Sequence, residues 1–184
     1  MLLGDISNPA ETEDWWYILL AILIIDLVVL FLVRYAPDVF GRPINVWYDR
    51  FNLSAVISDV LIIAIGFFIA RYVYLYFIPP EVGFNPWYFL GILVGVQILH
   101  DILFYLGIIL PIPRGHNRMI DVFKDYSKGG VKVIASDTAM MVGSALLAML
   151  LKEADPEYYA GISLFAIYTL PYILETKNKF SEFD

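Results

Sequence analysis

Five long apolar runs govern what this chain can become: residues 15–33, 53–78, 87–110, 131–151 and 158–174. Crossing about 30 Å of hydrocarbon takes about 20 helical residues, with roughly 17 to 25 usual, so these runs have the lengths of transmembrane helices. A soluble domain breaks its apolar residues into short amphipathic periods, and a membrane β-barrel alternates them in segments of about ten. These runs do neither. The expected fold is therefore all-α: a polytopic transmembrane helical bundle of about five spans, one domain over 1–184. The second run is long enough to tilt, and the fifth is short and contains Pro171.

Orientation is read from Lys and Arg in the connecting segments. Arg34, Arg42 and Arg50 belong to the first; Arg114, Arg118, Lys124, Lys128 and Lys132 to the third; Lys177 and Lys179 to the C-terminal tail. Strict alternation of five spans puts ten of the twelve basic residues on one side. The expectation is a lumenal or exterior N-terminus and a cytosolic C-terminus, with the first run kept as an anchor, since MLLGDISNPAETED has no basic residue of a signal peptide. The sequon Asn52-Leu53-Ser54 then falls on the cytosolic side and should stay unmodified. Aromatic pairs at Trp15 and Trp16, Trp87 and Tyr88, and Tyr158 and Tyr159 mark the opposite interface.

Two cytosolic segments read as short amphipathic helices on the membrane surface. In NRMIDVFKDYSKGG, Met119, Val122, Phe123 and Tyr126 recur at helical spacing opposite Arg118, Asp121, Lys124 and Asp125. In INVWYDRF, Trp47 and Tyr48 suit headgroup depth. Arg114, Arg118, Lys124, Lys128 and Trp47 are the candidate lipid contacts.

Four aspartates interrupt the runs: Asp26, Asp59, Asp101 and Asp137. An ionised carboxylate at the centre of a bilayer costs at least about 2.5–3.5 kcal/mol on insertion scales, so each needs a reason. At about 1.5 Å per residue they lie roughly 9–13 Å from the cytosolic ends of their spans. Gln97, Asp101 and Tyr105 follow one another at i, i+4 and i+8 along one face, with His100 about 100° away. Gly91 and Gly95 form a GxxxG pair, and Ala135, Ala139 and Gly143 a second small-residue seam; both predict close helix contacts. The expected geometry is an acidic layer in the cytosolic half, made by Asp59, Asp101 and Asp137 with His100 and Asp26, beside Gln97 and Tyr105. Such a layer binds cations, relays protons or serves acid–base chemistry; the same residues also read as hydrogen-bonded pins of helix register.

Composition excludes several classes. There is no cysteine, so no thiol redox pair or thiolate metal site. Of the two histidines only His100 lies in an apolar run, which excludes a bis-histidine haem within one subunit, and no mid-span lysine offers a retinal Schiff base. A net charge of −7 argues against nucleic acid. No Walker loop, GxSxG, HExxH, GxGxxG or TVGYG is present. The reading contains no cofactor and no metal.

The segments HDILFY, PIPRGHNRMIDVFKDYSKGG and ASDTAMM resemble a family of uncharacterised multi-span membrane proteins of large DNA viruses of algae and protists, over residues 97–141. The resemblance implies residence in a virion's inner membrane or in membranes of the infected cell, and assigns no catalytic residues. Three functions stay open on the residues: transport or conduction of protons or small cations, by an oligomer; a structural protein of a virion or organelle membrane, touching membrane or capsid partners; and a small intramembrane enzyme using His100 and Asp101.

Overall fold

The computed structural model describes residues 3–181. Among these described residues eight α-helices follow one another: α1 Asp14–Tyr35, α2 Pro37–Phe40, α3 Arg42–Phe51, α4 Leu53–Phe77, α5 Pro86–Phe104, α6 Arg118–Tyr126, α7 Val131–Lys152 and α8 Pro156–Leu174. Local chemistry sets several boundaries. Pro86 opens α5 behind Asn85, whose side chain accepts the amides of Trp87 and Tyr88; Asn117 does the same for Met119 and Ile120 at the start of α6. Beyond Phe104, α5 continues as a π-helical turn, Tyr105–Ile109.

Among the described residues four helices are long and apolar enough to cross a membrane: α1 with 22 residues, α4 with 25, α5 with its π turn with 24, and α7 with 22. The architecture is that of a multi-span helical membrane protein, and its first four spans lie within two residues of their expected bounds. The fifth differs. α8 has 19 residues but misses the apolarity of a span, because Tyr, Ser, Thr and Pro recur along it. It runs parallel to α1 over that helix's whole length: the Tyr17 and Tyr159 rings meet edge-on at 5.5 Å, and Arg34 Nη2 donates to the Leu174 carbonyl at 2.9 Å.

We call the end where α1 starts the near end and the end bearing α3 and α6 the far end. The near half is filled by Ile18, Ile22, Phe67, Phe89, Leu93 and Met141, each fully buried, from α1, α4, α5 and α7. Residues before α1 fold back over it. The Gly4 amide donates to the Met149 carbonyl at 3.1 Å, and a Cβ on Gly4 would sit 2.9 Å from Lys152 Cβ, so only glycine allows this approach. Arg71, 1% exposed, donates to Asp14 at 3.0 Å, to the Glu11 carbonyl at 2.9 Å and to the Asn8 carbonyl. Lys152 closes the group on the other Asp14 oxygen at 2.6 Å. At the far end Arg34 pairs with Asp49 at 2.6 Å, both side chains buried.

Two expected seams are corrected. Gly91 and Gly95 face open space with nothing within 4 Å, and Ala135 and Ala139 are exposed. The small residues of α7 that do pack are Ser144, Ala145 and Ala148, all fully buried, while Gly143 lets Ile25 of α1 approach to 3.4 Å of an added Cβ. The periodicity marked the correct helix but a face rotated from the contact.

α3 and α4 are joined through Asn52 alone, at φ 47 and ψ −126, a backbone region that suits glycine. Asn52→Gly is expected to stabilise the protein by roughly 1 kcal/mol, the relief of backbone strain exceeding the loss of an exposed hydrogen bond from Asn52 to Glu175. Thermal unfolding in detergent micelles checks this; a lower melting temperature would mean that the bond to Glu175 outweighs the strain.

Candidate functional site

Between α4, α5 and α7, beneath α3 and α6, lies a cavity of about 850 Å³. Asp59 reaches it from α4, Gln97, His100 and Asp101 from α5, Tyr105 from the π turn and Asp137 from α7. Most of its remaining wall is Ile, Leu, Phe and Met, and among the described residues no lysine or arginine lines it.

Each acid is met by a neutral donor. Trp47 Nε1 donates to Asp59 Oδ2 at 2.9 Å, and the Tyr126 hydroxyl to Asp137 Oδ1 at 3.3 Å. Gln97 Nε2 donates to Asp101 Oδ1 at 2.7 Å, one turn along the same helix, while His100 Nδ1 lies 3.3 Å from that oxygen. The His100 ring stacks on Phe104 at 5.6 Å. Asp101 Oδ2 is buried and has no partner. A buried acceptor left open costs about 1–3 kcal/mol, so the wall keeps unused capacity for a donor or a positive charge.

The roof supplies two of these donors because α3 and α6 are amphipathic and turn their aromatic faces inward. Trp47 packs on Phe51 and Phe123 at 5.0 and 4.7 Å, and Phe123 meets Phe104 at 5.8 Å. The tyrosines stay protonated. Burial first, then the charge of Asp26 and Asp59, pushes the Tyr48 hydroxyl well above its ordinary value; burial, then Asp137, does the same to Tyr126. Each therefore remains a donor.

Six of the seven expected site residues line this cavity: Asp59, Gln97, His100, Asp101, Tyr105 and Asp137. Asp26 does not. It is fully buried between helices and takes the Tyr48 hydroxyl at 2.9 Å, with its second oxygen unpartnered. Tyr48 itself borders the cavity, so Asp26 touches the site through one side chain. Tyr105 reaches the wall as the first residue of the π turn. Among the described residues no three His, Asp or Glu side chains are grouped closely enough to hold a metal ion.

Trp47 is the main correction. Read as a headgroup residue, it is 3% exposed and serves as a roof beam over Asp59. The basic residues divide. Lys124 is tied to the carbonyls of Ile109 and Leu110, completing the end of the π turn, and Arg118 sits 6.0 Å over the Phe51 ring. Arg114 and Lys128 remain largely exposed and share Asp125 at 2.8 and 2.7 Å. Their hydrogen bonds, Arg114 first, hold the Asp125 carboxyl at about 2. A lowered value contributes stability above the unfolded value of about 3.9 and loses it as pH falls towards 2, and screening at this exposed site keeps the contribution within about 1 kcal/mol. α6 is expected to loosen between pH 4 and 2, visible as faster amide exchange there, with Asp125→Asn removing that pH dependence.

The residues that sequence reading missed are the donors Tyr48 and Tyr126 and the role of Trp47. Their signal was present as aromatic side chains with polar tips on the inward faces of two short helices. No protein-family model matches this chain, and no curated protein or solved structure matches it either.

Proposed function

We propose that this protein is a membrane carrier of protons or small cations, with its working centre in the far-end cavity. One observation carries the reading: Asp59, Asp101 and Asp137, from three different helices, line one cavity together with His100 and, among the described residues, without any lysine or arginine. Carboxylates on a shared low-dielectric wall cannot all stay charged, and each charge needs a counter-charge nearby. A cation entering in exchange for protons meets that need. The packed core of α1, α4, α5 and α7 in the near half, closed over by Arg71, Asp14 and Lys152, supports a carrier reached from one side rather than an open pore.

The proposal includes a topology. α8 serves as the fifth crossing, which its contacts with both ends of α1 support. The N-terminus then lies outside and the cavity lies in the cytosolic half, where most Lys and Arg of the chain are found. Assembly with further copies, and residence in the membranes of a large virus or its host, belong to the same proposal and rest on sequence alone.

Flux in reconstituted liposomes tests it, read with a pH-sensitive dye under an imposed cation gradient. The wild type is expected to dissipate the gradient, and Asp101→Asn to fall to the level of protein-free vesicles. Undiminished flux in Asp101→Asn, or in both Asp59→Asn and Asp137→Asn, would remove the carrier reading.

A further inference from the structure

Charge, size and the position of the mouth constrain what the cavity can accept. Its ionisable acidic side chains are Asp59, Asp101 and Asp137, and no lysine or arginine offsets them, so a positive guest is favoured. Drug-sized ligand sites run about 300–1,000 Å³, and this cavity lies near the top of that range at about 850 Å³. A bare metal ion would leave it nearly empty, and the carboxylates are not grouped to chelate one. Trp47, Phe104, Phe123 and Tyr126 add aromatic faces to the wall, and such faces attract organic cations that carry little hydration.

The mouth is apolar. Leu61 and Ile65 of α4 and Ile102 and Leu106 at the end of α5 line the cavity, yet are 54, 51, 46 and 55% exposed. The cavity wall thus runs out between α4 and α5 onto the flank of the bundle, where the surface is Leu and Ile. A hydrated inorganic ion gains nothing along that route. A molecule already dissolved among acyl chains can slide in with its apolar part first solvated by lipid and then by these side chains. Gln97, only 9% exposed, holds one oxygen of Asp101 from behind and leaves Oδ2 without a partner.

We propose that the cargo is an organic cation dissolved in the bilayer, admitted sideways between α4 and α5 and held by Asp59, Asp101 and Asp137 against the aromatic roof. This rests on reading the cavity as a cation site and adds the chemical class of the guest and its route of entry.

Tetraphenylphosphonium and tetraphenylborate are an almost isosteric pair of opposite charge, and equilibrium binding of both to the detergent-purified protein tests the proposal. Saturable binding of one tetraphenylphosphonium per chain is expected, with tetraphenylborate weaker by at least about tenfold. The triple variant Asp59→Asn, Asp101→Asn, Asp137→Asn should lose at least about tenfold in tetraphenylphosphonium affinity. Ile65→Trp with Leu106→Trp, which narrows the mouth on lipid-facing positions and leaves every carboxylate intact, should lose a similar factor even if the triple variant does not fold. Equal binding of the two probes, or unchanged affinity in the mouth variant, overturns the proposal. Flux without tetraphenylphosphonium binding removes the organic cation and leaves the carrier; binding without flux removes the carrier and leaves the site.

Discussion

Replacing Arg71 by alanine is expected to destabilise the protein by about 3–5 kcal/mol, the range for breaking a buried ion pair from one side. Arg71 and Asp14 are 1% and 2% exposed in their side chains, so the loss strands Asp14 with Lys152 alone. It also strips a donor from the carbonyls of Asn8 and Glu11, which tie residues 3–13 to the bundle. Arg71 Nε and Nη1 have no partners of their own, which places the loss at the lower end of that range. Arg71→Met combined with Asp14→Leu should lose less than either change alone, since no charge is then left buried; Lys152, partly exposed, can turn outward. Unfolding in detergent measures both, and limited proteolysis reports release of the N-terminal segment. A single variant as stable as the wild type would mean that this ion group does not form.

Trp47→Ala should cost a comparable amount, about 3–5 kcal/mol, the range for truncating a large buried aromatic. Two effects add at this position: the ring that joins α3 to α6 through Phe51 and Phe123 is lost, and Asp59 loses its indole donor. Trp47→Phe separates them. It keeps most of the ring packing and removes only the hydrogen bond, for a cost of about 1–3 kcal/mol. The Ala variant should also admit solvent to the cavity, raising amide exchange in α6, whereas the Phe variant should not. Equal losses in the two would mean that packing between the roof helices contributes nothing, and two silent variants would mean that the roof does not sit on Asp59.

The residues differ in how plainly they declared themselves. Asp59, Asp101 and Asp137 were legible because an acid in an apolar run has few physical explanations, and their similar depths followed from the rise per residue. Asp26 met the same criteria and has another place, because its partner comes from Tyr48 on a different element and no count along α1 reveals it. Trp47 resembled an interfacial residue for the reason aromatic belts exist, one polar atom on an apolar ring; that atom instead found a carboxylate beneath it. Gly91 and Gly95 carried the spacing of a contact seam without a helix to fill it.

By itself the sequence determined that the chain is helical, where its four longest apolar helices begin and end to within two residues, and which residues would be hard to bury, because these follow from apolar run length and the cost of a charge in hydrocarbon. The tertiary structure alone decided which helix faces meet, that two short amphipathic helices turn inward as a roof, and that three acids open onto one space reaching the flank of the bundle. Those outcomes depend on helix rotation and on pairings between residues far apart in the chain, and a uniformly apolar helix carries little periodic signal of which side it will bury.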